Sequence, residues 1–350
     1  MIVIGIDAHK RTHTLVAVDE VGVKLGEKTV EATGRGHASA LRCAHRKFGA
    51  GVLWGVEDSR GVTGLLERDL MAARQRVVRV PPMLMARTRV SARTWGKSDP
   101  IDALAVARAV LREPDLPVAC HDAVSWELKL LVDRREDLVG QRVAVTNRLL
   151  ARLHQIDPER PQPTRLQRVR PRQALDDYLI QQPGLMAELA REELADIGRF
   201  SDNIDALTTR IVVRVRELNS TLPSLPGCAE LIAAKLISEA ANMTRFKSEA
   251  AFARYAGVAP VPAWSGATQG RLRAMRGGNR QLNSALHRIA VVQIRLDCPG
   301  RAYFRRRIAE GDSGRTALRC VKRRVCRAVF QRLRADYERR NLVDAPTHSP

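Results

Sequence analysis

Apolar residues come in short blocks over the first 120 positions and at helical spacing beyond them, so the chain changes character near one third of its length. Ile2-Val3-Ile4-Gly5-Ile6 is an unbroken apolar run that ends at Asp7, and Val52-Leu53-Trp54-Gly55-Val56 is another that ends at Glu57. Runs of this length, bounded by polar residues, predict buried strands at 2–7 and 52–57. His13 to Asp19 and Val23 to Val30 predict two more, joined by a turn at Glu20-Val21-Gly22, and Arg76 to Val80 predicts a fifth. Helices are expected at 37–47, 62–73, 83–92 and 100–112. Hairpin-linked strands followed by alternating helices and strands imply a mixed sheet with helices on its faces. The fold class is therefore α/β plus α.

From Trp126 to Ile156 the apolar positions are Leu128, Leu131, Leu138, Val145, Leu149, Leu153 and Ile156. A basic segment with four prolines follows at 157–171, and then Ile197, Ile204, Ile211 and Leu218 recur seven apart. Sustained heptads with charged flanks predict an antiparallel helical stalk or a dimeric coiled coil. A two-helix extension packed on its own domain is the competing reading, and Arg135, Arg142 and Arg152 interrupt the first seam. The last region, from Pro223, predicts helices at 229–240 and 279–296 around a Gly-rich segment at 257–278, ahead of an arginine-rich stretch from Arg301 to Arg340. The domains so outlined are 1–122, a stalk at 123–222 with its basic tip at 157–171, a mainly helical domain at 223–340 and a tail at 341–350.

Charge narrows the partner. The chain of 350 residues carries 59 Lys+Arg against 38 Asp+Glu, a net charge of +21, which points to a polyanion. Only 4% of residues are aromatic, which argues against a single-strand binder built on stacking platforms. No apolar stretch approaches the roughly 18–20 residues that span a bilayer, and the start lacks the basic region of a signal peptide. The expected place is the cytosol, with nucleic acid rather than a membrane as partner. The six cysteines form no CxxC pair and are expected to be free thiols.

Against that charge, the acids at element ends stand out. Asp7 and Glu57 close two strands, whereas Asp99 and Asp102 open a helix in Lys97-Ser98-Asp99-Pro100-Ile101-Asp102. Carboxylates of this kind hold Mg²⁺, and two ions about 4 Å apart assist phosphoryl transfer. Each acid also has an ordinary reading. Asp99 before Pro100 is a helix cap, Asp102 answers the helix dipole, and Asp58 competes with Glu57. Ser265, in Ala263-Trp264-Ser265-Gly266, is either a nucleophile or a turn serine beside Arg271, Arg273 and Arg276. Leu225-Pro226-Gly227 before a helix is either a phosphate-binding helix-hairpin-helix-like turn or a plain interhelical turn.

Read in order, these blocks resemble the DEDD transposases of bacterial insertion sequences, the family of bridge-RNA-guided serine recombinases. Gly5-Ile6-Asp7-Ala8-His9-Lys10, Gly55-Val56-Glu57-Asp58-Ser59 and Lys97-Ser98-Asp99-Pro100-Ile101-Asp102-Ala103 carry the first part of the match. Phe252 to Pro260, Ser265-Gly266 and Arg276-Gly277-Gly278-Asn279-Arg280 carry the second. The resemblance implies a RuvC-type, RNase H-like catalytic domain in which Asp7, Glu57, Asp99 and Asp102 bind Mg²⁺, with Mn²⁺ as a possible substitute. It also implies a C-terminal transposase domain whose catalytic serine is Ser265, a covalent serine–DNA intermediate, and strand exchange between donor and target DNA. An element-encoded guide RNA and a homo-oligomer, a dimer assembling to a tetramer, complete the expectation. The candidate nucleic-acid contacts are Lys10, Lys97, Gly227, Arg271, Arg273, Arg276, Asn279 and Arg280. Three other readings compete. One is a RuvC-like junction resolvase in which water attacks, and another is a non-catalytic nucleic-acid-binding protein. The third, a sugar-kinase-like ATPase, lacks its Asp-x-Gly-Gly phosphate loop.

Overall fold

The apolar run after Met1 forms β1 (Ile2–Ala8), and the hairpin that follows forms β2 (Thr12–Val18) and β3 (Lys24–Glu31). The later runs form β4 (Val52–Glu57) and β5 (Arg76–Val80). The computed structural model describes residues 1–57, 62–81, 84–85, 98–113, 116, 118–119, 122–266, 272–274 and 277–343. Of the helix expected at 83–92, all but 84–85 lies outside them. The strands pair in the order β3-β2-β1-β4-β5. β1 runs antiparallel to β2 but parallel to β4, and β4 is parallel to β5. This is the mixed sheet that the pattern predicts.

Helices α1 (Gly34–Phe48), α2 (Gly64–Ala72) and α3 (Asp99–Arg112) cover the two faces. One face packs Ile4, Ile6, Trp54 and Val56 against Ala40, Ala44, Leu66 and Leu70 of α1 and α2. The other packs Val3, Val16, Val78 and Val80 against Ala103, Val106, Ala107 and Val110 of α3. Side chains alternate across a strand, so positions 3, 5 and 7 of β1 share the α3 face. The glycine at position 5 lets α3 lie directly on the strand. A Cβ there would stand 2.2 Å from the Ala103 carbonyl oxygen and 2.3 Å from the Ala107 nitrogen. Gly55 plays the same part on β4, where a Cβ would come within 2.5 Å of Val110 Cγ2.

The chain divides into two compact units, Met1–His121 with Thr244–Ser248, and Asp122–Met243 with Glu249–Pro350. The second unit begins with α4 (Ala123–Ile156), α5 (Val169–Ile180) and α6 (Leu185–Glu217). It continues with α7 (Glu230–Ala240), α8 (Glu249–Tyr255), the two short strands β6 (Pro260–Pro262) and β7 (Leu272–Ala274), and α9 (Arg280–Gln293). Helices α10 (Pro299–Ala309) and α11 (Gly314–Val343) close it. The sequence pattern does not foresee α5, which buries only Leu175 and Leu179, nor β6, whose Pro-Val-Pro is a poor strand signal.

The heptad helices pair with each other. Arg214 on α6 donates to Glu127 on α4 (2.9 Å), Arg135 to Thr208 (2.8 Å), Arg142 to Ser201 (3.2 Å) and Arg152 to Glu193 (3.1 Å). Rising numbers on α4 meet falling numbers on α6, so the two run antiparallel within one chain. The arginines that interrupt the seam are its cross-links. The coiled-coil expectation is not carried. Beyond the pair, Leu149, Leu153, Leu175, Leu179, Leu194 and Ile197 join α5 into a three-helix core, and α7 packs on both α4 and α6. A seam covered on several sides by its own chain is a globular helical layer rather than a two-stranded coil.

Candidate functional site

Strand pairing sets the first two acids side by side. Ile6 is opposite Val56 in the parallel β1–β4 ladder, so Asp7 and Glu57 stand level on neighbouring strands at their C-terminal ends. Alternation puts both on the face that α3 covers. Asp7 is buried and Glu57 half-buried. α3 begins at this same place because Gly5 and Gly55 admit it against the sheet. Its N-cap is Ser98, so Asp99 does not cap the helix but is its first residue. Asp102 follows one turn in, buried, its N–H donating to the Ser98 carbonyl (3.0 Å). Both acids sit in the first turn, where the helix dipole favours negative charge.

His9, two residues past Asp7, joins the group. Its Nε2 is 3.1 Å from Asp7 Oδ2 and 3.3 Å from Asp99 Oδ1. One donor atom each from Asp7, His9 and Asp99 lies within 4.8 Å of the others. Burial pushes the Asp7 carboxyl above its ordinary value of 3.8, His9 pulls it back, and the charges of Asp102 and Asp99 push it up again. A cation bound among them would offset the repulsion between like charges. The donor set, carboxylate oxygens with one imidazole at the rim, fits a divalent metal ion. His9 lies in the Gly5–Lys10 block, but its pattern alone does not mark it as a ligand. The signal it does give is the Asp-x-His spacing at a strand end, which sets two ligand-type side chains on one side of the chain.

The other candidates fall as follows. Lys10, Arg273 and Arg280 are exposed, as is Ser265 beyond β6, next to a half-exposed Trp264. Gly227 has φ 83°, in a turn closed by the Cys228 N–H donating to the Leu225 carbonyl (2.9 Å). Gln293 on α9 ties that turn down by donating to the Pro226 carbonyl (2.9 Å). Asn279 is buried and caps α9, accepting from the N–H groups of Gln281 (2.9 Å) and Leu282 (3.0 Å) while donating to Glu239 (2.5 Å). With its amide so engaged, Asn279 is built into the packing rather than offered to a phosphate. Lys97, Arg271, Arg276 and Asp58, the rival of Glu57, lie outside the described residues. The five described cysteines are free, and burial pushes the Cys228 and Cys326 thiols up to about 12, as inert thiols require. Among the described residues no helix is long and apolar enough to cross a membrane.

Carboxylates and an imidazole gathered beside a helix N-terminus, in a chain of net charge +21, are the groups that a metal-assisted enzyme working on a polyanion would use. The comparisons with known proteins make the class specific. Residues 4–158 match the family model for DEDD transposases of IS110 type, and residues 219–305 match the model described as transposase, IS116/IS110/IS902 family. The chain belongs to the IS116/IS110/IS902 family of transposases, enzymes that cut and rearrange DNA.

Similar proteins run the full length. The 42 kDa protein of insertion element IS900 from Mycobacterium paratuberculosis is 26% identical, over 94% of this chain and 95% of its own. The 44.8 kDa protein of IS116 from Streptomyces clavuligerus is also 26% identical, over 98% and 96%. Among solved structures, T. thermophilus RuvC in complex with a Holliday junction substrate is similar at 17% identity, over 34% of this chain and 99% of that one. Its TM-score of 0.28 is too low to carry weight.

These findings overturn one expectation. The covalent serine–DNA intermediate at Ser265 is not what the match supports, because the family is described by its DEDD acids, whose chemistry is metal-assisted attack by water. Ser265 itself is an exposed residue. RNA guidance does not follow from the family match either.

Proposed function

We propose that the chain is a Mg²⁺-dependent transposase that cleaves DNA with water as the attacking group, and that Asp7, Glu57, Asp99 and Asp102 hold the metal. The observation that carries this reading is the meeting of Asp7 and Asp99 around His9, where α3 begins against the end of β1. A strand order of β3-β2-β1-β4-β5 with β2 antiparallel supports placing the unit among RNase H-like, RuvC-type domains. A divalent ion held there would lower the pKa of water and stabilise charge developing on the scissile phosphate. The chain's own part is to hold the carboxylates ready. The β1–β4 register levels Asp7 with Glu57, Gly5 and Gly55 seat α3, and the first turn of α3 carries Asp99 and Asp102. The half-exposed Asp99 and His9 leave that end open to a phosphate.

Cleavage of DNA bearing the element's ends tests the reading. Nicking is expected to stop when a chelator removes the metal and to return with Mg²⁺. Glu57→Gln is expected to lower the rate about 100-fold. Undiminished cleavage by Glu57→Gln would remove Glu57 from the ligand set.

The second unit supplies charge for DNA. Arg305 on α10 and Arg315 and Arg319 on α11 are exposed, and Arg324 lies 3.6 Å over the Tyr303 ring, which fixes its guanidinium at the surface. Replacing Arg305, Arg315 and Arg319 together by alanine is expected to flatten the dependence of DNA affinity on salt by about 0.9 in log–log slope per residue. Equal slopes for the variant and the parent in a fluorescence-anisotropy titration would move the DNA path elsewhere. An element-encoded RNA and further copies of the chain as partners rest on the resemblance and the surplus positive charge alone. Co-purified nucleic acid and light scattering of the full chain test them.

A further inference from the structure

His9 has no part in a site made only of carboxylates, yet it stands between two of them. Its Nε2 approaches Asp7 Oδ2 to 3.1 Å and Asp99 Oδ1 to 3.3 Å. The first of these is also a hydrogen-bond contact, and both separations match the edges of a metal coordination polyhedron. Bonds of about 2.1 Å place neighbouring ligand atoms about 3.0 Å apart at right angles and about 3.4 Å apart in a tetrahedron. The backbone at His9 is itself held, since its N–H donates to the Thr12 carbonyl (2.9 Å) across the tight turn into β2. His9 and Asp99 are each about half exposed, at 50% and 52% of their side chains, so the group can take an ion from solvent and still face a substrate.

We propose that His9 is a metal ligand and that its imidazole makes this centre bind a divalent first-row transition ion more tightly than the Mg²⁺ that also supports cleavage. The proposal rests on the reading of the acid cluster as a metal centre and deepens it. Mg²⁺ takes oxygen ligands and parts with its waters reluctantly, so an imidazole contributes little to holding it. For transition ions an aromatic nitrogen is a strong ligand, and affinity for mixed nitrogen–oxygen sites rises from Mn²⁺ towards Cu²⁺. Asp7 and Asp99 supply the oxygens that either kind of ion accepts, and His9 is the residue that separates the two kinds. A ligand set of two carboxylates and one nitrogen also leaves coordination positions for water and phosphate.

Direct binding to the full chain, free of DNA and independent of activity, provides the test. Mn²⁺ binding is followed by the loss of the free-ion electron paramagnetic resonance signal, with Mg²⁺ as competitor, and Co²⁺ binding by its visible absorption. The parent protein is expected to hold Mn²⁺ at least about tenfold more tightly than Mg²⁺. His9→Ala is expected to weaken Mn²⁺ about tenfold or more and Mg²⁺ less than about threefold, and to change the Co²⁺ spectrum. His9→Asp, which returns an oxygen donor to the position, should keep metal binding and lose the preference for Mn²⁺. Circular dichroism that matches the parent establishes that both variants are folded. Equal Mn²⁺ affinity and an unchanged Co²⁺ spectrum in His9→Ala would overturn the proposal and leave the carboxylate centre standing. A parent protein that binds none of the three ions, with Asp7→Asn indistinguishable from it, would overturn both.

Discussion

Asp7→Asn is expected to abolish metal-dependent DNA cleavage, a loss of at least about 1000-fold, or about 4 kcal/mol of transition-state stabilisation. The change keeps the shape of the side chain and removes only its charge. Asp7 is the acid on which the others converge: His9 touches it, Asp102 and Asp99 raise its pKa, and the ladder sets it level with Glu57. The same variant is expected to fold at least as stably as its parent when no metal is present. Burial is the largest cause that lifts the Asp7 carboxyl above its ordinary value of 3.8, and the neighbouring carboxylates add to it. The folded state therefore binds this proton more tightly than the unfolded state does. For an acid of raised pKa the sign is unfavourable: stability falls as pH climbs from 3.8 through the folded value, and the ionised group costs stability at neutral pH. Asparagine removes that cost. Cleavage assays on element-end DNA together with melting curves at neutral pH check both halves. A variant that cleaves at the parent's rate would remove Asp7 from the centre. One that melts well below the parent would show that the carboxylate is a structural group.

The second large effect is expected from a single methyl group. Gly5→Ala should destabilise the first unit by about 3 kcal/mol or more, because the new Cβ meets backbone rather than a side chain that can turn away. The atoms in its way are the Ala103 carbonyl oxygen at 2.2 Å and the Ala107 nitrogen at 2.3 Å. α3 has to lift from β1, and it carries Asp99 and Asp102 with it. Cleavage should then fall more steeply than folding, since carboxylates at a metal centre tolerate little displacement. Gly55→Ala makes a graded control: its Cβ meets Val110 Cγ2, the end of a side chain, at 2.5 Å. Chemical denaturation of the two variants should rank Gly5→Ala as the more damaging. The reverse order would mean that the close packing of α3 on β1 is not what holds the acids.

Much of this arrangement is legible in the sequence. The strands at the two apolar runs, the hairpin and the fifth strand fall where periodicity and turn residues put them. So do α3 and the long helices α4 and α6. α5 and the β6–β7 pair were not legible, because a twelve-residue helix with two buried leucines and a proline-flanked valine carry almost no periodic signal. The heptads predict the helices and allow their antiparallel pairing, but the coiled coil is not carried by the structure. A seam repeats in the same way whether a second copy, a neighbouring helix or three neighbours cover it.

For the site, the sequence by itself determined the chemistry on offer: carboxylates at the ends of two strands and at the start of a helix, in a chain of net charge +21. Only the tertiary structure decided how they combine. The parallel pairing of β1 with β4 makes Asp7 and Glu57 neighbours across fifty residues. The glycine-floored crossing of α3 brings Asp99 to Asp7 across more than ninety. His9 became part of the group only when its ring was seen to reach both. The physical reason is that local pattern encodes which face of an element is buried, whereas the partner buried against it depends on contacts between residues far apart in the chain. A metal centre assembled from separate elements is made of such contacts.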